Sequence, residues 1–189
     1  MLSLFPEIVT QPPGFRYVPD FISATDELQL LGFIRQLTLH PFQFQGYEAK
    51  RKVLSFGLDY DFKSRMLHTG SPMPATLLPI IERVAKELHC SPTEIAEVLI
   101  TEYPVGSVIN WHRDAPPFKS IAGVSLAASC IFKFRPHDEA RRSKRSIINI
   151  SVAPRSLYVI EGAARSDWQH STGPVKEIRY SITFRTLNK

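Results

Sequence analysis

The feature that most constrains the fold is a succession of β-type segments in the second half of the chain. From about Val98, apolar and polar side chains alternate along the chain, as they do in half-buried strands. Several such segments joined by short polar connections are typical of antiparallel sheets that close into a sandwich or barrel. The clearest segments are residues 123–134 (GVSLAASCIFKF), residues 146–164 (SIINISVAPRSLYVIEGAA) and residues 177–187 (EIRYSITFRTL).

The first of these segments predicts one continuous strand with two unlike faces. Ser125, Ala127, Ser129, Ile131 and Lys133 form a small or polar face. The opposite face is apolar and holds Val124, Leu126, Ala128, Cys130, Phe132 and Phe134.

Two amphipathic helices are predicted upstream of these strands. The first begins near Ser23, carries Asp26 and Glu27 in its first turn, and repeats apolar residues at helical spacing. The second covers residues 74–89 (PATLLPIIERVAKELH), and Pro79 is close enough to its start to be tolerated. The SPTE sequence that begins at Ser91 has the form of a capping box. Helices followed by antiparallel strands indicate an α+β fold.

Length and composition indicate one domain. The chain has 189 residues, of which 43% are hydrophobic, so a single compact core is feasible. We find no repeat and no linker, and therefore predict a single domain over residues 1–189. Within it we expect a helical and lid-forming half at about 1–97 and a strand-built core at about 98–187.

Charge and cysteine content narrow the class of protein. The formal net charge of +5 favours an anionic partner, although many basic proteins bind no nucleic acid. The only two cysteines, Cys90 and Cys130, do not form the disulfide framework of a small secreted domain. No segment resembles a signal peptide or a membrane span. We expect a cytoplasmic, monomeric protein.

A candidate metal site lies in the segment YPVGSVINWHRDAPPF, residues 103–118. In an extended strand His112 and Asp114 would point to one side, together with Asn110. Such a pair is common by chance, and its simplest interpretation is an ordinary hydrogen-bonded pair. His170 lies downstream, where a returning strand could bring it opposite. Two histidines and one carboxylate on one face of iron are the ligands of non-haem Fe(II) oxygenases.

The last β-segment adds a second signal. Arg179, Ser181, Thr183 and Arg185 alternate with apolar residues and therefore share one face. This face could simply be exposed to water. If it lines a barrel instead, its two guanidinium groups require anions, because an unpaired buried charge is costly. A dicarboxylate would satisfy both.

Together these motifs resemble the AlkB-like dioxygenases, which depend on 2-oxoglutarate and Fe(II). The motifs that carry the resemblance are YPVG, HRD, VSLA, the late histidine and RYSITFR, in that order over roughly residues 98–187. The segment GYEAKRKVLSFGLDYDF, residues 46–62, is similar to the substrate lid of that family. The implied fold is a double-stranded β-helix, or jelly roll, with helices packed outside the major sheet.

The resemblance also implies roles for individual residues. Fe(II) is expected on His112, Asp114 and His170, which makes these three the catalytic residues. Tyr103 and Arg179 are expected to hold the distal carboxylate of 2-oxoglutarate, and Arg185 to lie near the carboxylate that chelates the metal. We assign Ser181 and Asn110 to the same cosubstrate site. Dioxygen is the remaining reactant.

The sequence departs from the family pattern at three positions. Pro116 replaces an acidic residue that contacts the damaged base in base-repairing members. Ser181 and Thr101 each replace an asparagine that is usual near the cosubstrate. The iron ligands are unchanged. Base recognition and cosubstrate contacts are therefore expected to differ from the family pattern, while the chemistry is not.

The resulting hypothesis is oxidative demethylation of N-alkylated DNA or RNA, as in DNA repair, on a single strand or a flipped base. Two alternatives remain open: the same chemistry on a protein or small molecule, and a jelly roll that only binds ligands. A solvated charged loop is the simplest interpretation of the basic segment from Arg135 to Ser146. The predicted nucleic-acid contacts are Tyr47, Lys50, Arg51, Lys52, Arg141, Arg142 and Arg145.

Overall fold

The structure is a computed structural model that describes residues 10–44 and 46–188. Two sheets and two longer helices make up most of it. The strands are β1 (Phe15–Val18), β2 (His40–Phe44), β3 (Tyr47–Asp61), β4 (Met66–Thr69), β5 (Ile95–Tyr103), β6 (Ile109–His112), β7 (Phe118–Leu126), β8 (Cys130–Pro136), β9 (Ile148–Val152), β10 (Leu157–Ile160), β11 (Trp168–Thr172) and β12 (Arg179–Leu187). The helices are α1 (Ala24–Ile34), α2 (Leu78–Glu87) and the short α3 (Gly162–Ser166).

The strands form the two antiparallel sheets of a jelly roll, as predicted. The major sheet has the order β1-β10-β7-β12-β5-β3-β2, and β4 pairs with the far part of β3. The minor sheet has the order β6-β11-β8-β9. One apolar cluster fills the space between the sheets, with Phe118 and Tyr158 from the major sheet and Phe132 and Phe134 from the minor sheet. The jelly-roll interior is therefore a packed core.

The two longer helices cover the outer face of the major sheet, which confirms the predicted arrangement. Leu31 of α1 and Val84 of α2 belong to the same buried cluster as Val98, Ile182 and Phe184 of the sheet. In α1 the expected N-terminus is present, because the Ser23 side chain and the Asp26 side chain form a reciprocal capping box. SPTE also forms a capping box, but it begins a three-residue 3-10 helix.

Because the outer residues of β12 contact the helices, its alternate residues must face the jelly-roll interior. Arg179, Ser181 and Thr183 are all buried. The alternative of a polar face exposed to water is therefore wrong, and the prediction of an inward-facing polar row is confirmed.

The prediction of a single strand over residues 123–134 is wrong. β7 ends at Leu126 and β8 begins at Cys130 in the other sheet. The chain reverses at Ala127, which has a φ of 69°. Leu126 therefore packs beneath the helices, whereas Phe132 packs between the sheets. The apolar period continues across the turn because both cores demand buried residues.

The first half of the chain is less helical than predicted. Its described residues contribute the four strands β1–β4 ahead of β5, and His40 and His68 lie in β2 and β4. β3 has 15 residues and takes part both in the major sheet and in a hairpin with β4. Its residues 52–57 pair with β5, and those from Leu58 pair with β4 in a hairpin beside the site. None of the helices among the described residues is long and apolar enough to span a membrane.

Gly57 marks the point where β3 leaves the major sheet. Its φ is +80°, and a Cβ there would lie 2.4 Å from the main-chain oxygen of Ala96. Gly57→Ala should therefore lower the free energy of unfolding by about 1–3 kcal/mol, measured by urea denaturation. Gly32→Ala is the control, because nothing lies within 4 Å of the added methyl group. It should be neutral or stabilising by up to about 1 kcal/mol. Equal effects of the two changes would contradict a strained turn at Gly57.

Candidate active site

The candidate metal centre lies between β6, β11 and the loop after β6. His170 pairs directly with His112 across the two strands, and their ring centroids are 4.3 Å apart. Asp114 lies two residues past the end of β6, so the prediction that it shares a strand with His112 is wrong. The chain nevertheless carries it to the same side. One ligand atom from each of the three residues lies within 4.8 Å of the others.

The donor atoms of this group suit a divalent cation. His112 Nδ1 donates to the main-chain oxygen of Asn110 at 2.8 Å, which leaves Nε2 as the ligand atom. Asp114 Oδ2 is buried without a hydrogen-bond partner and lies 3.5 Å from His170 Nε2. A buried carboxylate oxygen of this kind requires a cation or a donor. Two imidazoles and one carboxylate are the donor set of non-haem Fe(II).

The protonation states also suit metal binding. Burial lowers the pKa of His170 to about 3, so its imidazole is neutral at neutral pH. Burial alone would raise the pKa of Asp114, but the Arg185 guanidinium outweighs it and holds that pKa below its usual range. Ligands must be unprotonated to bind a metal. Asp114 and His170 are therefore in the required form.

Arg185 lies between two carboxylates. Its Nη2 donates to Asp114 Oδ1 at 2.9 Å and its Nη1 to Glu97 Oε2 at 2.5 Å. Glu97 lies on β5 and is 2% exposed. Arg185 Nε remains buried without a partner in the structure. The guanidinium thus already compensates two anions, and Nε is its one nitrogen that has no partner among the described residues.

A second buried guanidinium lies deeper in the roll. Arg179 is fully buried, its Nε donates to Ser125 Oγ at 3.1 Å, and its Nη1 and Nη2 have no partner. Its guanidinium carbon lies 4.8 Å from the centroid of the Tyr103 ring. The Tyr103 hydroxyl is 3.4 Å from Ser181 Oγ. An anion with two oxygens would satisfy both free nitrogens, which fits the distal carboxylate predicted here.

A large open cleft of about 2250 Å³ leads to the metal centre. Its walls include the metal ligands His112 and Asp114, and Asn110 and Pro116 also line it. Arg165 lines the same cleft and donates through Nη2 to the main-chain oxygens of Asp114 and Ala115. The cleft is far larger than a small dicarboxylate needs, so it has room for a second substrate.

The predicted contacts on β3 differ in position. Tyr47, Lys50 and Arg51 line the cleft, and Tyr47 is 68% exposed. Lys52 is directed away from it and forms an ion pair with Glu102 at 3.0 Å. The substrate-contact prediction for Lys52 therefore has no support in its position.

The three predicted arginines of the basic loop after β8 do not line the cleft, although His137 at the start of that loop does. Arg141, Arg142 and Arg145 lie in and beside two short 3-10 helices and are absent from the cleft walls. Arg142 donates to the main-chain oxygens of Pro136 and His137 and to Glu139. Its cation thus stabilises the loop, and the structure brings none of the three to the metal centre.

Three buried groups of the site were not predicted. Glu97 and Ser125 alternate correctly for the interior of their strands, but a lone acid or serine in a strand usually faces water. Tyr158 packs against Gly123, where a Cβ would lie 2.1 Å from the tyrosine ring. Burial raises the pKa of Tyr158, so its hydroxyl stays protonated beside Arg179. The glycine was a usable signal, because a strand glycine often marks a close approach.

Fold and site together define a dioxygenase of the jelly-roll type that binds Fe(II) through two histidines and a carboxylate. The chain belongs to the 2OG-Fe(II) oxygenase superfamily, whose family model matches residues 14–185, and within it the chain is AlkB-like. Members of this superfamily use Fe(II), 2-oxoglutarate and dioxygen, and the group of His112, Asp114 and His170 suits that chemistry. Family membership favours an enzyme over a jelly roll that only binds ligands.

Particular relatives agree with this assignment. The chain is 27% identical to the "Alkylated DNA repair protein ALKBH8 homolog" of Arabidopsis thaliana over 84% of its own length and 50% of that protein. It is 28% identical to the mouse (Mus musculus) "tRNA (carboxymethyluridine(34)-5-O)-methyltransferase ALKBH8" over 87% of this chain and 25% of the relative. The chain thus spans half or less of these relatives. The solved structure of OsALKBH1 superposes with a TM-score of 0.73 at 13% identity, covering 93% of this chain and 97% of the other.

Proposed function

We propose that this enzyme oxidatively dealkylates N-alkylated nucleic acid. The observation that carries the proposal is the lining of the cleft in front of the metal ligands, which combines cations with aromatic rings. Phosphate groups require the cations, and unstacked bases pack on the rings. The cations include Lys50, Arg51, Lys63, Arg65 and Lys119, and the aromatic residues include Phe42, Tyr47, Tyr60, Phe62 and Trp111.

The chemistry follows from the family. With Fe(II) bound, 2-oxoglutarate and dioxygen are converted to succinate and carbon dioxide while one oxygen atom is inserted into a substrate C–H bond. On an N-methyl group the product is a hydroxymethyl amine, which breaks its C–N bond to give formaldehyde and the free amine. His112, Asp114 and His170 would hold the metal, and Arg179 would hold the distal cosubstrate carboxylate. No protein nucleophile is needed.

The cleft also sets conditions on the substrate. A base inside a duplex cannot reach the metal ligands, so it must be flipped out or presented on a single strand, at a cost of a few kcal/mol. Pro116 lines the cleft and offers no carboxylate to a cationic base. We therefore expect a lesion preference unlike that of members with an acid at this position. The names of the relatives refer to alkylated DNA and to tRNA, which supports nucleic acid as the substrate class.

Substrate panels test the proposal. The purified enzyme with Fe(II), 2-oxoglutarate and dioxygen should release formaldehyde and succinate with single-stranded DNA or RNA that carries N-methyl or etheno lesions. Unmodified strands and methylated peptides serve as controls. Binding to oligonucleotides should also weaken steeply between about 50 and 200 mM salt, because bound phosphates release counterions. Turnover of peptides alone would contradict the proposal and favour the same oxygenase chemistry on a protein substrate.

A further inference from the structure

We propose that Arg51 binds the phosphate group that flanks the target nucleotide and so places the alkylated base in front of the metal. This inference rests on the proposed function and adds one residue and one phosphate to it. It separates Arg51 from its basic neighbours in β3, which the sequence alone treats as one cluster.

Strand register places Arg51 on the inner side of the major sheet. Lys52 pairs with Glu102, and Tyr180 pairs with Glu102 from the other side, so these three side chains share the outer face. Arg51 precedes Lys52 and therefore points the opposite way, toward the same side as Tyr103. Arg51 accordingly lines the cleft. The charged groups that act on it are Tyr103, Arg185 and Asp114, which belong to the cosubstrate and metal sites.

Among the described residues, no carboxylate lies within ion-pair distance of Arg51. Its guanidinium carbon lies 3.9 Å from the centroid of the Phe42 ring. Two other guanidiniums of the site have oxygen partners, whereas Arg179, which also lacks a carboxylate, is expected to bind the cosubstrate. Arg185 has two carboxylates, and Arg165 donates to two main-chain oxygens. Burial lowers the pKa of Arg51, and the opposing effects of Tyr103 and Asp114 do not offset it, so this charge is partly removed from water and incompletely compensated. Such a cation favours an anionic ligand.

The charges of the loaded site leave two cations in excess. The charges of Fe(II) and 2-oxoglutarate cancel each other, and Arg179 and Arg185 together balance the carboxylates of Asp114 and Glu97, which leaves Arg51 and Arg165. Arg165 already donates to the main-chain oxygens of Asp114 and Ala115, so of these two Arg51 is the cation that has neither a carboxylate nor an oxygen partner among the described residues. A phosphodiester has one negative charge and two free oxygens, which suits a guanidinium. Because Arg51 faces the metal site, that phosphate must be adjacent to the reacting nucleotide.

Arg51→Gln tests this assignment. The KM for a lesion-bearing single-stranded oligonucleotide should rise about tenfold, as expected for loss of one charge-assisted contact. The slope of log binding constant against log salt should fall by about 0.7, the value for one phosphate on a single strand. The KM for 2-oxoglutarate should change by less than about twofold, because Arg179 and Arg185 are intact. Arg51→Lys should recover part of the affinity. Arg35→Gln, an exposed change outside the cleft, should match the parent.

An uncharged linkage at one position of the substrate identifies which phosphate Arg51 binds. With a methylphosphonate on either side of the target nucleotide, the parent enzyme should lose about tenfold in KM at one of the two positions. Arg51→Gln should lose nothing further at that position. A methylphosphonate several nucleotides away should affect both enzymes equally. Circular dichroism and urea denaturation would verify that the variants are folded.

The outcomes separate this inference from the proposed function. If the parent does not turn over any oligonucleotide, the proposed function fails. If the parent turns over oligonucleotides but Arg51→Gln keeps the parent's KM and salt slope, only the Arg51 assignment is wrong. Equal losses for parent and Arg51→Gln with the flanking methylphosphonate would also overturn it. A rise in the KM for 2-oxoglutarate alone would assign Arg51 to the cosubstrate instead.

Discussion

Asp114→Asn is expected to abolish turnover and to weaken Fe(II) binding by more than about 100-fold, since even residues that only orient metal ligands cost 10–100-fold. The amide keeps the shape of the side chain and can still accept from Arg185, so the fold should persist. Titration with Fe(II) measures the metal affinity. The visible charge-transfer band of the anaerobic complex with 2-oxoglutarate should disappear in this variant.

Matched variants complete this test. His112→Ala and His170→Ala should also remove the band. Glu82→Gln makes the same type of change at an exposed carboxylate on α2 and should behave as the parent. A normal band in any one of the three site variants would remove that residue from the ligand set without affecting the other two.

Arg179→Gln is expected to raise the KM for 2-oxoglutarate by about 100-fold or more, because an anion in this pocket would lose its buried partner at a cost of about 3–5 kcal/mol. Arg179 Nη1 and Nη2 are buried with no partner in the structure, so they are poised for an external anion. Isothermal titration of 2-oxoglutarate onto the Mn(II) form measures the affinity without turnover.

A truncated cosubstrate isolates the contact. A 2-oxo acid without the distal carboxylate should bind weakly to the parent and no more weakly to Arg179→Gln. If Arg179→Gln also weakens binding of the truncated acid by 100-fold, the effect is general damage to the pocket. A lower thermal unfolding temperature of the variant than of the parent would identify such damage.

The sequence predicted the group of His112, Asp114 and His170 that the structure brings together. The spacing of His112 and Asp114 suggested a shared side, which they have although Asp114 lies beyond the strand, and His170 was selected because a returning strand could bring it opposite. The inner face of β12 was equally readable, since two arginines shared it. These predictions depend on local periodicity and on chemistry that few residue types can perform.

Other parts of the fold and the site could not be predicted from the sequence, because they depend on contacts between distant segments. The reversal at Ala127 was not readable, because no glycine or proline marks it and both sides of the turn are apolar. Glu97 was missed, since its burial depends on a partner 88 residues away. The Arg141 to Arg145 segment was weighted by charge alone, whereas the structure leaves its arginines out of the cleft walls. The number of charges in a segment does not show which way its side chains point.

The position of β12 in the major sheet has a consequence for how the protein reaches its native state. β12 lies between β7 and β5, which both precede it by more than 50 residues, and it carries Arg179 and Arg185. Until it inserts, β5 and β7 present unpaired edges that can pair with other chains. Such long-range pairing makes folding slow. Because Arg179 and Arg185 belong to β12, the 2-oxoglutarate site is complete only when this strand is in place, so bound 2-oxoglutarate is expected to favour the chain with β12 inserted.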